Sequence, residues 1–254
     1  MLPYDEAGSG PAVVLIHAGI ADRSMWSAHL EPLAAAGYRA LAFDLPGFGE
    51  APVAPGPQAP WNDVLMALNE LGIGDAALVG NSFGAAVALR VAVTAPGRVR
   101  ALALVSAPVE EVEQSERLTA VWEAEEDALE RGDVDAAVAA VVDAWTLRDS
   151  PPELRERVAA MYRHGIEVQL AAEEPEEAPD PVEEDPDWPS RVSMPVLLAA
   201  GERDMPDMQE GVHVLAGHLP HARCEFIPRA GHLAPLETPD AFRALLLDFL
   251  VASR

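Results

Sequence analysis

Short, unbroken apolar runs alternate with longer amphipathic ones along the first half of the chain. This alternation restricts the fold more than any other feature. Ala12-Val13-Val14-Leu15-Ile16 has no polar position, so both of its faces must be covered. Arg39–Phe43, residues 76–79 and Val99–Val105 repeat the pattern. Between them, residues 26–36 and 61–71 carry apolar side chains at spacings of three and four, and each segment is followed by a glycine, Gly37 or Gly72. A further Ala/Val-rich helix is expected from Gly84 to Ala95. Strand, helix, strand in this order needs crossover connections, which predicts an α/β fold with a mostly parallel central sheet covered on both faces.

The rhythm breaks after Pro108. Only helical patterns follow, over 112–131, 134–147 and 152–170. Residues 173–187 then carry nine acids, four prolines and no base, which reads as a solvated linker. A cation-binding role is the alternative, but no calcium-loop spacing is present. Strand and helix resume at 195–200, 207–217, 224–227 and 238–251. The expected organisation is a core of residues 1–108 and 188–254, interrupted by a helical insertion over 109–187 that ends in the acidic linker. The chain has no internal repeat.

The 254 residues carry 42 acids against 17 bases, a formal charge of −25. Without a basic patch, nucleic acid is excluded as a partner and an anionic membrane surface would repel the protein. All the bases are Arg, which fits either a GC-rich genome or an acidic surface adapted to salt. One cysteine, Cys224, forbids an intramolecular disulfide and any Cys-based zinc site; its place in a strand pattern predicts a small buried side chain. Neither a secretory signal nor a membrane-length apolar run is visible, so a cytoplasmic location is expected.

Gly80-Asn81-Ser82-Phe83-Gly84 is the strongest chemical signal. It fits Gly-x-Ser-x-Gly and lies between an expected strand and an expected helix. A sharp strand-to-helix turn crowds its neighbours, so glycine is needed on both sides. Such a turn projects the Ser82 hydroxyl from the carboxyl edge of the sheet. The Phe83 N–H then opens the helix, where donors are unpaired. A serine hydroxyl needs a base. Of seven histidines, His232 is the best placed, in the loop after the last strand. His17 reads as fixing a turn; His29, His164, His213, His218 and His221 read as helix surface or partly buried. The imidazole needs a carboxylate to orient it. Asp204, after the strand at 195–200, is the first choice. Asp207 is the competitor, expected instead to cap the next helix, and Glu202 is a third option. The developing oxyanion needs backbone donors. Phe83 N–H is one, and Gly19 N–H is the first choice for the other, with Ile20 second.

Taken in order, His17-Ala18-Gly19, Asp44-Leu45-Pro46-Gly47-Phe48-Gly49, the Gly80–Gly84 motif, Gly201-Glu202-Arg203-Asp204 and Ala230-Gly231-His232 resemble the α/β-hydrolase superfamily, in its lidded esterase, lactonase and haloperoxidase-like branch. The resemblance runs from residue 11 to 250, except the insertion. It implies the α/β-hydrolase fold, with Ser82 as nucleophile, Asp204 as acid, His232 as base, Gly19 and Phe83 as oxyanion donors, and 109–187 as a lid. The chain departs from the usual pattern in having Ala18 where the family has Gly after its His. The N-terminal strand pair is expected to be shortened, and the acidic return from the lid is unusual. An aspartate nucleophile would suggest epoxide hydrolases or haloalkane dehalogenases, and Ser82 argues against both. Carbon–carbon hydrolases share Gly-Asn-Ser but usually place Trp after the His, where this chain has Leu233.

The expected activity is cleavage of a small-molecule carboxylic ester or lactone through an acyl-enzyme, with no metal and no organic cofactor. Carbon–carbon hydrolysis, cofactor-free perhydrolysis or a lyase reaction on the same residues is the alternative, and a non-enzymatic ligand-binding module a further one. Trp122, Trp145 and Met161, with Tyr162, are the expected pocket residues of the lid; Trp26, Trp61 and Trp188 read as core. Asp44 is expected to shape its turn.

Overall fold

A computed structural model describes residues 1–53, 55–172, 176 and 178–253. Seven strands form one sheet: β1 (Tyr4–Gly8), β2 (Ala12–Ile16), β3 (Arg39–Phe43), β4 (Ala76–Asn81), β5 (Val99–Val105), β6 (Val196–Gly201) and β7 (Arg223–Ile227), in the spatial order β1-β3-β2-β4-β5-β6-β7. All neighbours run parallel except β1 against β3. The helices are α1 (Ser27–Ala35), α2 (Pro60–Glu70), α3 (Phe83–Thr94), α4 (Glu116–Glu130), α5 (Val134–Trp145), α6 (Pro152–Leu170), α7 (Trp188–Arg191), α8 (Pro206–His218), α9 (Ala234–Glu237) and α10 (Pro239–Ala252). This is the α/β-hydrolase fold, a mostly parallel sheet with helices on both faces.

The pleat divides the core into two layers. Val13 and Leu15 of β2 point one way, with Ala77 and Val79 of β4, toward Leu33 of α1 and Phe242 and Leu246 of α10. Val14 and Ile16 point the other way, with Leu78, toward Val64 and Leu68 of α2 and Val91 of α3. Alternation within an all-apolar strand is what covering both faces requires. Of the helices between β5 and β6, α5 and α6 join the first layer through Val138, Val141 and Val158. Parallel strands also bring their carboxyl ends to one edge, where a doubly covered sheet opens its crevice.

The structure corrects several expectations. β1 has no counterpart in the apolar-run reading, because an edge strand carrying Asp5 and Glu6 is half solvated. A short helix that the apolar spacing did not announce, α9, precedes the expected final helix, which is α10, opened by Pro239. Cys224 is exposed, since β7 is the other edge and its first residues lie bare. His29 is fully buried; its Nε2 donates to the Pro235 carbonyl at 2.9 Å and its ring packs on Trp26 and Phe242. Of the acidic stretch, 173–175 and 177 lie outside the described residues. The remainder is not simply solvated: Asp180 pairs with Arg90, and Ala178 and Val182 pack on the core.

Candidate active site

β4 ends in the glycine-flanked turn. Ser82 sits at φ +54°, in the left-handed region that a non-glycine residue rarely adopts. The turn tolerates no side chain beside it. A Cβ on Gly80 would strike the Gly84 carbonyl, and one on Gly84 would strike the carbonyls of Ile16 and His17. The turn is anchored by Ser82 N–H donating to Val105 O at 2.8 Å. Asn81 is fully buried, and its amide donates to Val105 O at 3.2 Å and to His232 O at 3.1 Å. It therefore ties the end of β4 to the loop that carries the imidazole, a link that the residue between Gly80 and Ser82 gave no sequence reason to expect.

Asp204 and His232 meet although 28 positions apart: His232 Nδ1 donates to Asp204 Oδ1 at 3.1 Å, with both side chains nearly or fully buried. A carboxylate only accepts, so Nδ1 carries the hydrogen and Nε2 is left as the basic nitrogen. Asp204 Oδ1 also accepts from Met205 N–H at 2.8 Å, while Oδ2 is buried without a partner among the described residues. The Trp145 ring lies on the imidazole, centroids 4.2 Å apart. Glu237 holds the loop from below. Its Oε2 accepts from Gly231 N–H at 2.7 Å and its Oε1 from Leu147 N–H at 2.9 Å. Burial pushes the Glu237 carboxyl up, and the two N–H donors oppose that rise.

The competing carboxylates are occupied elsewhere. Asp207 is not the helix cap, because Pro206 takes the first helical position and Met205 precedes it. Its carboxylate instead accepts from Ser115 N–H and Oγ, both at 2.7 Å, which fixes the residue that caps α4. Glu202 accepts from Arg229 N–H. His17 behaves as a turn residue: Nδ1 donates to Ala18 O and Nε2 accepts from Leu45 N–H, and burial lowers its pKa. Asp44 likewise ties its turn, accepting from the backbone N–H of Arg23 and Glu50 and pairing with the Arg23 guanidinium.

Ser82 and His232 open into one cavity of about 560 Å³, whose floor also includes Gly19, Ile20 and Phe83. Among the described residues the Ser82 hydroxyl makes no hydrogen bond; such contacts often tighten only around a substrate. Phe83 is the first residue of α3, so its N–H has no acceptor within the helix. Ala18 N–H is engaged with Met25 Sδ at 3.4 Å, while Ala21 N–H closes a turn onto Ala18 O with Gly19 and Ile20 at its corners. The roof comes from the helices between β5 and β6. Trp122, Glu125 and Leu129 line it from α4, Trp145 from the end of α5, and Tyr162, Ile166 and Gln169 from α6. Met161 is not on this wall. One position from Tyr162, it is turned by about 100° around the helix axis toward α1's approach, where Ser24 Oγ contacts its sulfur. The sequence reading also missed the polar pair in the roof, Tyr162 OH donating to Glu125. Glu125 lies three residues from Trp122 on the same face, which is the one signal that could have found it. Burial raises the pKa of both members. Among the described residues no group of three His, Cys, Asp or Glu is arranged to hold a metal, and no helix is long and apolar enough to cross a membrane.

Comparison with known proteins agrees with this architecture. The pattern of the Alpha/beta hydrolase family matches residues 13–245. A thermophilic esterase from Thermogutta terrifontis superposes with a TM-score of 0.80 at 26% identity, covering 99% of this chain and 93% of that one. A 2-hydroxy-6-oxononadienedioate/2-hydroxy-6-oxononatrienedioate hydrolase from Burkholderia vietnamiensis is 28% identical over 97% of this chain and 90% of its own. A bifunctional epoxide hydrolase 2 from Sus scrofa is 35% identical, but over 42% of this chain, and the match spans only 20% of that relative's length. A family pattern that runs through nearly the whole sequence, on a sheet of this order, settles the kinship: the chain belongs to the alpha/beta hydrolase family.

Proposed function

We propose that this hydrolase cleaves carboxylic esters or lactones through an acyl-enzyme. One observation carries the reading. A serine held at a strained, glycine-flanked turn shares a cavity with an imidazole whose far nitrogen is bound to a buried carboxylate. In this reading His232 Nε2 takes the Ser82 proton as Ser82 Oγ attacks the carbonyl. Asp204 keeps the imidazole in the productive tautomer and stabilises its cation. The oxyanion is received by Phe83 N–H and by Gly19 N–H, with Ile20 N–H as the second choice for the latter. The alcohol leaves with the proton from His232, which then activates water against the acyl-enzyme. The inserted helices act as a lid, and their Trp122 and Trp145 supply apolar wall and limit water.

A second reading, hydrolysis of a carbon–carbon bond, is favoured by the similarity to the nonadienedioate hydrolase along almost the whole chain. Against it, Leu233 follows His232. Two measurements decide. A fluorophosphonate probe should label the protein, and Ser82→Ala should abolish labelling. Turnover of p-nitrophenyl butyrate should exceed that of a ring-cleavage dienone, and His232→Ala should lower it by roughly 10³ or more. Labelling that survives Ser82→Ala, or dienone cleavage that outruns the ester, would overturn the proposal.

A further inference from the structure

We propose that Glu125 selects the substrate: the cavity takes an ester or lactone whose end remote from the carbonyl carries an ammonium or other hydrogen-bond donor, and it rejects a carboxylate there. This rests on the ester-hydrolase reading of the same cavity. Among the described residues the roof is apolar except for a few groups, and Glu125 is its one acidic side chain. Among the described residues no Arg lines the cavity, and the chain has no Lys, so neither an Arg nor a Lys neutralises that carboxylate there. Glu125 is held in place rather than free to swing away. It sits on α4 between Trp122 and Leu129, and Tyr162 OH, from α6 across the cavity, donates to its Oε1. Oε2 has no partner among the described residues. An ammonium or hydroxyl that reaches it gains a charge-assisted hydrogen bond in a site of low dielectric. A carboxylate in the same place meets a like charge.

The test compares three p-nitrophenyl esters of equal length: 6-aminohexanoate, hexanoate and the adipate monoester. The wild-type kcat/KM for the amino ester should exceed that for the adipate monoester by roughly tenfold or more. Glu125→Gln should lower this ratio about tenfold. Glu126→Gln removes the same charge from the next, exposed position and should leave the ratio as in the wild type, which separates a local effect from the overall negative charge. A ratio unchanged in Glu125→Gln, or moved equally by both variants, overturns the proposal. Binding gives a readout independent of turnover. In Ser82→Ala protein, quenching of Trp122 and Trp145 fluorescence should show hexylamine binding more tightly than hexanoate, and Glu125→Gln should erase the preference. Equal binding of the two overturns the inference even if esters are cleaved. The expected preference without ester cleavage by the wild type would leave it standing and sink the ester reading instead.

Discussion

Removing the Glu237 carboxylate should loosen the His232 loop and the segment after α5 together, because one side chain serves both. Its two oxygens accept from Gly231 N–H at 2.7 Å and Leu147 N–H at 2.9 Å. Hydrogen bonds to a charged acceptor contribute about 1.5–3 kcal/mol each, so the pair is worth about 3–6 kcal/mol before the carboxylate's own burial is counted. That burial opposes ionisation, as the raised pKa shows, and reduces the net. Glu237→Ala should therefore destabilise by about 2–4 kcal/mol. For a chain of this size each kcal/mol is worth roughly 2–4 °C in Tm, so the expected fall is of order 10 °C. Glu237→Gln keeps one acceptor oxygen and turns an amide against the other N–H, so about half the loss is expected. Activity separates anchoring from mere stability. Gly231 adjoins His232, so kcat for p-nitrophenyl butyrate at a temperature where each variant is folded should fall about tenfold to a hundredfold in Glu237→Ala. Scanning calorimetry and steady-state kinetics suffice. A Tm within about 1 °C of wild type, or an unchanged kcat, refutes the reasoning.

Two further outcomes follow from buried geometry. Gly84→Ala drives a Cβ into the backbone carbonyls of Ile16 and His17, which cannot turn aside; it should cost about 1–3 kcal/mol or more and lower kcat by displacing the start of α3, both measured as above. His29 and His17 are buried with lowered pKa values, while the unfolded chain binds protons at the ordinary value of 6.5. Their stabilising contribution is thus complete above pH 6.5 and is lost as pH falls below it toward their native values. Urea titrations between pH 6.5 and about 5.5 should show stability falling by up to about 1.4 kcal/mol per pH unit for each ring, and His29→Phe should remove roughly half of that slope. A slope unaltered by the substitution would exclude His29 as its source.

Particular residues show what was legible. The run Ala12–Ile16 announced a strand covered on both faces, and it is one. The helix at 152–170 was bounded by Pro152 and the end of its apolar spacing, and it has those bounds. Ser82 declared itself by the strand before it and the helix after it. His29 did not: its helical neighbours look like surface until α9 and α10 cover it from more than 200 positions away. Cys224 erred the other way, because a strand's place at the sheet edge is not written in its own residues. Met161 and Tyr162 are adjacent and similarly apolar, so which one faces the cavity depends on how α6 is rotated against the core.

The order of strand and helix, the strained serine turn and the choice of chemical residue types are local or periodic properties, and the chain alone determines them. The meeting of Asp204 with His232, the link from Asn81 to the His232 carbonyl and the carboxyl of Glu125 in the cavity roof were decided only by tertiary structure. Each is a contact between segments far apart along the chain. Its existence depends on which helix faces meet once the sheet is covered, and no stretch of sequence records that by itself.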